Sequence, residues 1–506
     1  MKYLICLVAI FIFINPIKGY ADAIKPVKSR KIEIEVHFSQ VEKGDILTIF
    51  LLDKFYRGES NAIEVSASMD KDSTFYFHIP VKRLCGYFKI ERRLRPGEQM
   101  KSETGSDFIL LSPRFFWMAG DKVRINIIKK KKQVNWYVNP PERFNFYFTG
   151  PNAFKYQVGY TIDSALTHTQ NKNPGVFHGR DFSYSNPYKE SILTANKILN
   201  KDSSLLPQFF IQVKKADIIS HGFTATAARV RVIYKSLLKD DDSSKLKDFK
   251  ESFWKSPIAK PFHPDIPVDA LANSPQYCVF QLLQQQLIYF IKHGEDNPDS
   301  LYYQIKKRFT GELRDVLLTD FFNRMHPNQL NKLYQDALKT IKTSSCLHTL
   351  DMLKRRNSGF DAYDFSLPDI SGKIIHLHDL YGKVVLIDFW FTGCDGCEWY
   401  YKTVLSKVEP HFGNNPKVAF VTVSIDSRRD LWLHGLKSGD YTSPQAINLF
   451  TEGLCNKDPM FQYYRVQATP TVVLIDSKGK IRLFNGSELY NISTLVDLIN
   501  ETIPNH

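Results

Sequence analysis

Two cysteines separated by two residues, placed where a strand gives way to a helix, constrain this chain more than any other feature. Val384–Phe389 reads VVLIDF, a continuous apolar run of the kind a strand buried on both faces needs. Trp390-Phe391-Thr392-Gly393 leads from it into Cys394-Asp395-Gly396-Cys397. Glu398 to Phe412 contains no glycine, and its Trp399, Val404, Leu405, Val408 and Phe412 recur at near-helical spacing, which predicts a helix there. A thiol at a helix N-terminus feels the positive end of the macrodipole and unpaired backbone N–H groups, so its thiolate is stabilised. Cys394 is therefore the expected nucleophile. Cys397, one turn on and on the same side, is placed to resolve a mixed disulfide by closing the internal bridge.

Further along, Ala468-Thr469-Pro470-Thr471 precedes another apolar strand, Val472–Ile475, and an X-Pro bond is where a chain adopts a cis peptide at small cost. Strand, W-x-x-x-C-x-x-C, helix and a later T-P-T before a strand resemble the thioredoxin superfamily. Phe365-Ser366-Leu367-Pro368-Asp369 and Leu380-Tyr381-Gly382-Lys383-Val384-Val385 resemble the lead-in of its TlpA/ResA branch of envelope thioredoxins. The resemblance spans Asp361 to His506 and implies an α/β thioredoxin-like fold there, with Cys394–Cys397 as the redox disulfide. It further implies that Pro470 is the cis-proline packed beside that disulfide and that Thr469 offers backbone hydrogen bonds to a substrate chain. Asp388 matches the buried carboxylate that helps deprotonate the resolving cysteine; read from the residues alone it is also simply a strand-end carboxylate. Trp390 and Trp399 read as packing and shielding residues.

The motif departs from that of thioredoxin, which has Gly-Pro between its cysteines and a tryptophan before the first, where this chain has Asp395-Gly396 and Gly393. Asp395 and Glu398 put negative charge beside Cys394 and favour the protonated thiol, and residues 392–398 hold no Lys, Arg or His to offset them, so the site leans toward a reductase. Half of a zinc site is another reading of C-x-x-C, but no second C-x-x-C supplies the missing ligands. A peroxidase nucleophile sits in a P-x-x-x-T-x-x-C pattern, which is absent around Cys394. Since a fold does not fix an activity, a thioredoxin scaffold with a vestigial motif also stands as an alternative.

The other end of the chain speaks to compartment. Lys2 precedes an apolar run from Leu4 to Ile14, and Ala21-Asp22-Ala23 supplies the small-x-small pattern that signal peptidase cuts, so residues 1–23 read as a signal peptide and the mature chain begins at Ile24. Cys6 lies inside the apolar run, which does not support a lipid anchor, and no later stretch reaches the roughly 20 apolar residues a membrane span requires. The expectation is a soluble exported protein of the periplasm or cell envelope, where a reducing C-x-x-C needs continual re-reduction.

At 506 residues the chain exceeds one hydrophobic core, so several domains are expected. Residues 24–155 read β-rich, with Lys31–Phe38 alternating and Ile46–Leu52, Phe75–Ile79, Phe108–Leu111, Val123–Ile127 and Phe144–Phe148 following between turn residues, a sandwich or barrel. Ala119-Gly120-Asp121-Lys122-Val123 and Phe148-Thr149-Gly150 there resemble the β-domain that precedes envelope thioredoxins of this branch in Gram-negative bacteria. Residues 156–359 read mainly helical, with Val279–Ile291 and Glu312–Met325 too long for strands, and Arg355–Gly359 as a linker into the redox domain at 360–506. The net charge of +14 is spread along the chain; its densest cluster, Lys129–Lys132, reads as a solvated hairpin and not as a nucleic-acid surface. Of seven cysteines Cys6 falls in the leader, and the rest are too few and scattered for a disulfide framework. Cys85, Cys278 and Cys346 read as buried thiols, and Cys455 as a candidate third redox partner.

Together these features predict a multidomain, exported thiol–disulfide oxidoreductase that reduces protein disulfides. No metal or organic cofactor is implied, and neither a Gly-rich phosphate loop nor a metal-binding motif occurs. Resemblance to the branch implies a membrane electron donor of the DsbD or CcdA kind. A disulfide oxidase or isomerase, and an envelope binding protein without enzymatic activity, are the alternatives.

Overall fold

Alternation decides the first strand: in Arg30–Phe38 (β1) the side chains of Ile32, Ile34, Val36 and Phe38 are buried, while Lys31, Glu33, Glu35 and His37 lie on the other face. The computed structural model describes residues 30–52, 63–70, 73–93, 108–130, 143–167, 177–178, 182–239, 243–260, 264–325, 330–356, 358–413, 415–464, 466 and 468–504. The expected signal peptide and Trp136-Tyr137-Val138 lie outside these residues. The same holds for the tip of the lysine cluster, Lys131-Lys132. Ile46–Leu52 (β2), Ile63–Ser68 (β3), Thr74–Val81 (β4), Cys85–Arg93 (β5), Phe108–Leu110 (β6), Phe115–Met118 (β7), Lys122–Lys129 (β8) and Phe144–Thr149 (β9) complete the strand-rich region. They form two sheets, β4-β1-β8-β9 and β3-β2-β5-β6, with β7 also paired to β5. The sheets close on one core that includes Ile34, Leu47, Ile49, Phe77, Phe88 and Ile125, which is the sandwich form of the expected all-β domain.

The second sheet is covered on its outer face too. Phe50, Leu52, Tyr87 and Phe116 pack there against Ile162 of Ala153–Thr167 (α1) and Phe210 of Gln208–Ile219 (α2). This explains why β5 escapes sequence reading: its CGYFKIERR is buried on both faces although it carries Lys89, Glu91 and Arg92, which are met by ion pairs, Lys89 with Glu91 at 2.6 Å and Arg92 with Asp45 at 3.7 Å. Strands β3 and β7 are likewise absent from the expected set: β7, FFWM, is short and does not alternate, whereas β3, IEVSAS, alternates but buries none of its side chains fully. Asp121, in the turn before β8, accepts hydrogen bonds from Met118 N at 2.7 Å and Tyr156 Oη at 2.8 Å and pairs with Lys155, tying α1 to the sandwich.

The central region is helical, as the length of its stretches predicts. Pro275–His293 (α3) starts with Ser274 accepting from Tyr277 N at 3.1 Å and ends at Gly294 in a left-handed conformation. Gly311–Arg324 (α4) is buried nearly all round, with Asp315 satisfied by the N–H groups of Lys342 and Thr343 at 2.8 and 2.9 Å. The expected linker at Arg355–Gly359 does not hang free: Gly359 N donates to Ile481 O at 2.7 Å, Ile481 N to Phe360 O at 2.8 Å, and Phe360 packs into the helical core.

The C-terminal sheet has the order β12-β11-β10-β13-β14, from Val384–Trp390 (β10), Val418–Ser424 (β11), Ile447–Phe450 (β12), Thr471–Ile475 (β13) and Ile481–Phe484 (β14). Strands β10, β11 and β12 run parallel and β13 and β14 antiparallel to their neighbours. Alternate residues of central β10 feed two cores: Val385, Ile387 and Phe389 on one face, Val384 and Leu386 on the other. That second face is covered by Asp395–Tyr400 (α5), Ser406–Phe412 (α6) and Ile492–Thr502 (α8), while Arg429–Ser438 (α7) precedes β12. The run expected as one α-helix is interrupted by a π-helical turn over Tyr401–Leu405, and Pro410 sits inside α6. A π turn holds one extra residue and resets the face presented by everything after it. No helix among the described residues is long and apolar enough to cross a membrane.

Candidate functional site

The site is assembled at the end of β10. Gly393 takes φ +92, a left-handed conformation that lets the chain turn sharply from strand to helix. The turn is held from a distance: Thr392 N and Oγ1 donate to the Asp426 carboxylate at 3.0 and 2.9 Å, and Gly393 N donates to Tyr441 Oη at 2.9 Å. Cys394 then occupies the N-cap of α5, and Cys397 N donates to Cys394 Sγ at 3.1 Å. The two cysteines are joined in a disulfide with Cα atoms 5.2 Å apart, and both are buried.

The Thr469–Pro470 segment arrives from 75 residues away, with its peptide bond cis. Thr469 Oγ1 lies 3.5 Å and Thr469 O 3.8 Å from Cys394 Sγ. Pro470 closes over Gly396 so tightly that a Cβ there would stand 3.2 Å from Pro470 Cδ. Tyr490 Oη donates to Pro470 O at 3.0 Å and fixes the segment from the opposite side.

On β10, Asp388 is 1% exposed, and neither carboxylate oxygen has a hydrogen-bond partner among the described residues. Burial, reinforced by the nearby charge of Glu409, pushes its carboxyl well above the usual range. Glu409 itself is raised by burial, against the lowering effect of the Ser443 hydroxyl. Trp390 is fully buried, stacked on Tyr441 at 5.0 Å with ring planes 10° apart. Trp399 departs from the expected packing role: it is 53% exposed and lines, with Thr403, His411, Tyr490 and Val496, an open cleft of 650 Å³.

The charge balance also differs from the reading of residues 392–398 alone. Glu398 pairs with Lys402 at 2.6 Å, and Lys402 reaches on to Asp440 at 2.7 Å. The i,i+4 spacing of Glu398 and Lys402 could have revealed the first pair; Asp426, Tyr441, Glu409 and Tyr490 left no local signal because they come from other elements. Cys85, Cys278 and Cys346 are buried as expected, whereas Cys455 is partly exposed, its Sγ 3.4 Å from Gly453 O. No group of three or more potential metal ligands occurs among the described residues.

A disulfide at a helix N-cap, beside a cis-proline loop and at the end of a central strand of a mixed sheet, defines a thioredoxin domain of the thiol–disulfide oxidoreductase type. The thioredoxin-like family model matches residues 382–481, and the chain belongs to that family. It is 30% identical over 125 residues to the thioredoxin-like protein YneN of Bacillus subtilis, covering 24% of this chain and 68% of YneN. It is equally 30% identical over 125 residues to the thiol-disulfide oxidoreductase ResA of Bacillus subtilis, covering 25% of this chain and 65% of ResA, so it spans just under two thirds of that relative. Among solved structures, the thioredoxin domain of a thiol-disulfide oxidoreductase from Bacteroides vulgatus is similar at 22% identity, covering 29% of this chain and 98% of that one with a TM-score of 0.26.

Proposed function

We propose that this protein is an exported reductase of protein disulfides. The observation that carries the reading is Asp395, exposed at the first position of α5 beside Cys394: its negative charge opposes the thiolate that the Cys397 N–H donor and the helix end make reactive, and so keeps the couple reducing. The Cys394 thiolate attacks one sulfur of a substrate disulfide, forming a mixed disulfide and releasing the other substrate sulfur as a thiolate, which is protonated. Asp388 takes the proton of Cys397; the Cys397 thiolate then attacks Cys394 Sγ, closing the internal disulfide and expelling the second substrate thiolate. Two electrons pass from the protein dithiol to the substrate.

Thr469 and Pro470 border the sulfur of Cys394 and offer the docking edge for an extended substrate segment. Trp390 shields the pair from behind. In this reading the chain divides into a signal peptide (1–23), a β-domain (24–155), a helical region (156–359) and the redox domain (360–506). It works in the periplasm or cell envelope, re-reduced by a membrane donor of the DsbD or CcdA kind. Trapping tests it: Cys397→Ser should accumulate mixed disulfides with reducible proteins such as insulin, and Cys394→Ser almost none. Equal trapping by the two variants, or an inability of the wild type to reduce insulin, would overturn it.

A further inference from the structure

The cleft lined by Trp399 joins the reacting cysteine through Pro470. Cys394 caps α5, and Gly396 is the residue of that helix pressed on the cis-proline, a Cβ there standing 3.2 Å from Pro470 Cδ. Trp399 follows Gly396 by three residues and so continues the same face of the helix. Helical side chains lean toward the N-terminus, which in α5 is the end that carries Cys394. Thr403 extends this face by one more turn, its Oγ1 donating to Trp399 O at 2.6 Å.

The opposite wall reaches the same proline. Tyr490 lines the cleft and donates through Oη to Pro470 O at 3.0 Å, and its ring lies 5.0 Å from that of Tyr400 in α5. Ile492 and Val496 of α8 continue this wall. The volume of 650 Å³ lies within the range of about 300–1,000 Å³ found for clefts that hold ligand groups. Its ionisable members, His411 and Asp497, are both exposed and form no cluster of like charge that would select an ionic occupant. Trp399 and Tyr490 instead offer rigid apolar surface, the kind that anchors a partner's side chain.

We propose that this cleft binds the substrate polypeptide next to its disulfide, taking an aromatic or branched aliphatic side chain from the extended segment whose cysteine reacts with Cys394. The proposal rests on the reading of the domain as a reductase of protein disulfides, and it names the class of disulfide selected: one flanked by apolar residues. A segment lying on the Thr469–Pro470 edge advances about 3.3 Å per residue, so its second or third residue from the reacting cysteine stands about 7–10 Å away. The five residues from Cys394 to Trp399 rise about 7–8 Å along the helix, which brings such a side chain level with the indole.

The test uses the full chain, reduced, and two synthetic peptide homodimers, each joined by one disulfide. One carries leucine and the other serine at the second and third positions on both sides of the cysteine; glutathione disulfide is the reference without such side chains. The wild type should reduce the leucine peptide about tenfold faster than the serine peptide in second-order rate. Trp399→Ala should bring that ratio close to one. Ser493→Glu, which puts a charge into the cleft at a helix start that favours acidic residues, should do the same and decides the matter if the alanine variant folds poorly. A ratio close to one in the wild type, or the wild-type ratio kept in Trp399→Ala, would overturn the role of the cleft and leave the reductase reading standing. Failure of the wild type to reduce any of the three disulfides would remove both. Sedimentation covers a second copy as the occupant: if Trp399→Ala dissociates an oligomer yet keeps the ratio, the cleft is a self-association face and the proposal falls.

Discussion

Asp388→Asn should make the oxidised protein more stable by about 2 kcal/mol on the alkaline side of the folded Asp388 midpoint. The substitution keeps shape and removes charge from a residue whose two oxygens have no hydrogen-bond partner among the described residues. A buried charge left uncompensated costs about 3–5 kcal/mol, and a neutral polar group left unsatisfied about 1–3 kcal/mol, so the difference is near 2 kcal/mol. The sign with pH follows from linkage. The folded carboxyl is raised above its unfolded value of 3.8, so between those two values the native state binds more protons and stability falls as pH rises. Below the unfolded value both states are protonated and the penalty vanishes; above the folded value it is fully present. The gain in Asp388→Asn should therefore be absent near pH 3.5 and complete on the alkaline side of the folded midpoint. Hydrogen exchange of the β10 and β11 amides reads the opening free energy of this domain without requiring the whole chain to unfold in one step. Equal protection of variant and wild type at every pH from about 3.5 upward, or lower protection of the variant at the alkaline end, would refute the isolated-charge account.

The Cys394–Cys397 couple should lie nearer the roughly −270 mV of thioredoxin than the roughly −120 mV of a strong oxidant, because Asp395 stands exposed at the first position of α5. Asp395→His should make it more oxidising; equilibration with glutathione measures both, and a wild-type value above about −180 mV would contradict the reductase reading. Gly396→Ala places a Cβ 3.2 Å from Pro470 Cδ, and overpacking of this kind costs about 1–3 kcal/mol. Insulin reduction should fall in that variant as the Thr469–Pro470 edge is displaced, and unchanged activity and melting would show that the contact relaxes freely.

The redox motif and its frame were legible in the chain itself because every signal in them is local. An unbroken apolar run makes β10, a glycine makes the turn, the two cysteines sit one helical turn apart, and Thr469-Pro470 stands directly before β13. Alternation in β1, and the length of the stretches that form α3 and α4, too long for strands, marked the character of the two preceding regions in the same way. What only the tertiary structure decided lies where distant elements meet. Strand β5 is a strand because a sandwich core covers one of its faces and helices the other, with ion pairs for its charged residues. Lys402 reaches Asp440, and Asp426 and Tyr441 hold the turn before Cys394, only because their loops fold back onto it. The isolation of Asp388, and Glu409 as its neighbour, depend on how α5, the π turn and α6 lie across the sheet. Periodicity records which residues are to be buried, whereas the partners a buried group meets are set by long-range packing, which local sequence does not encode.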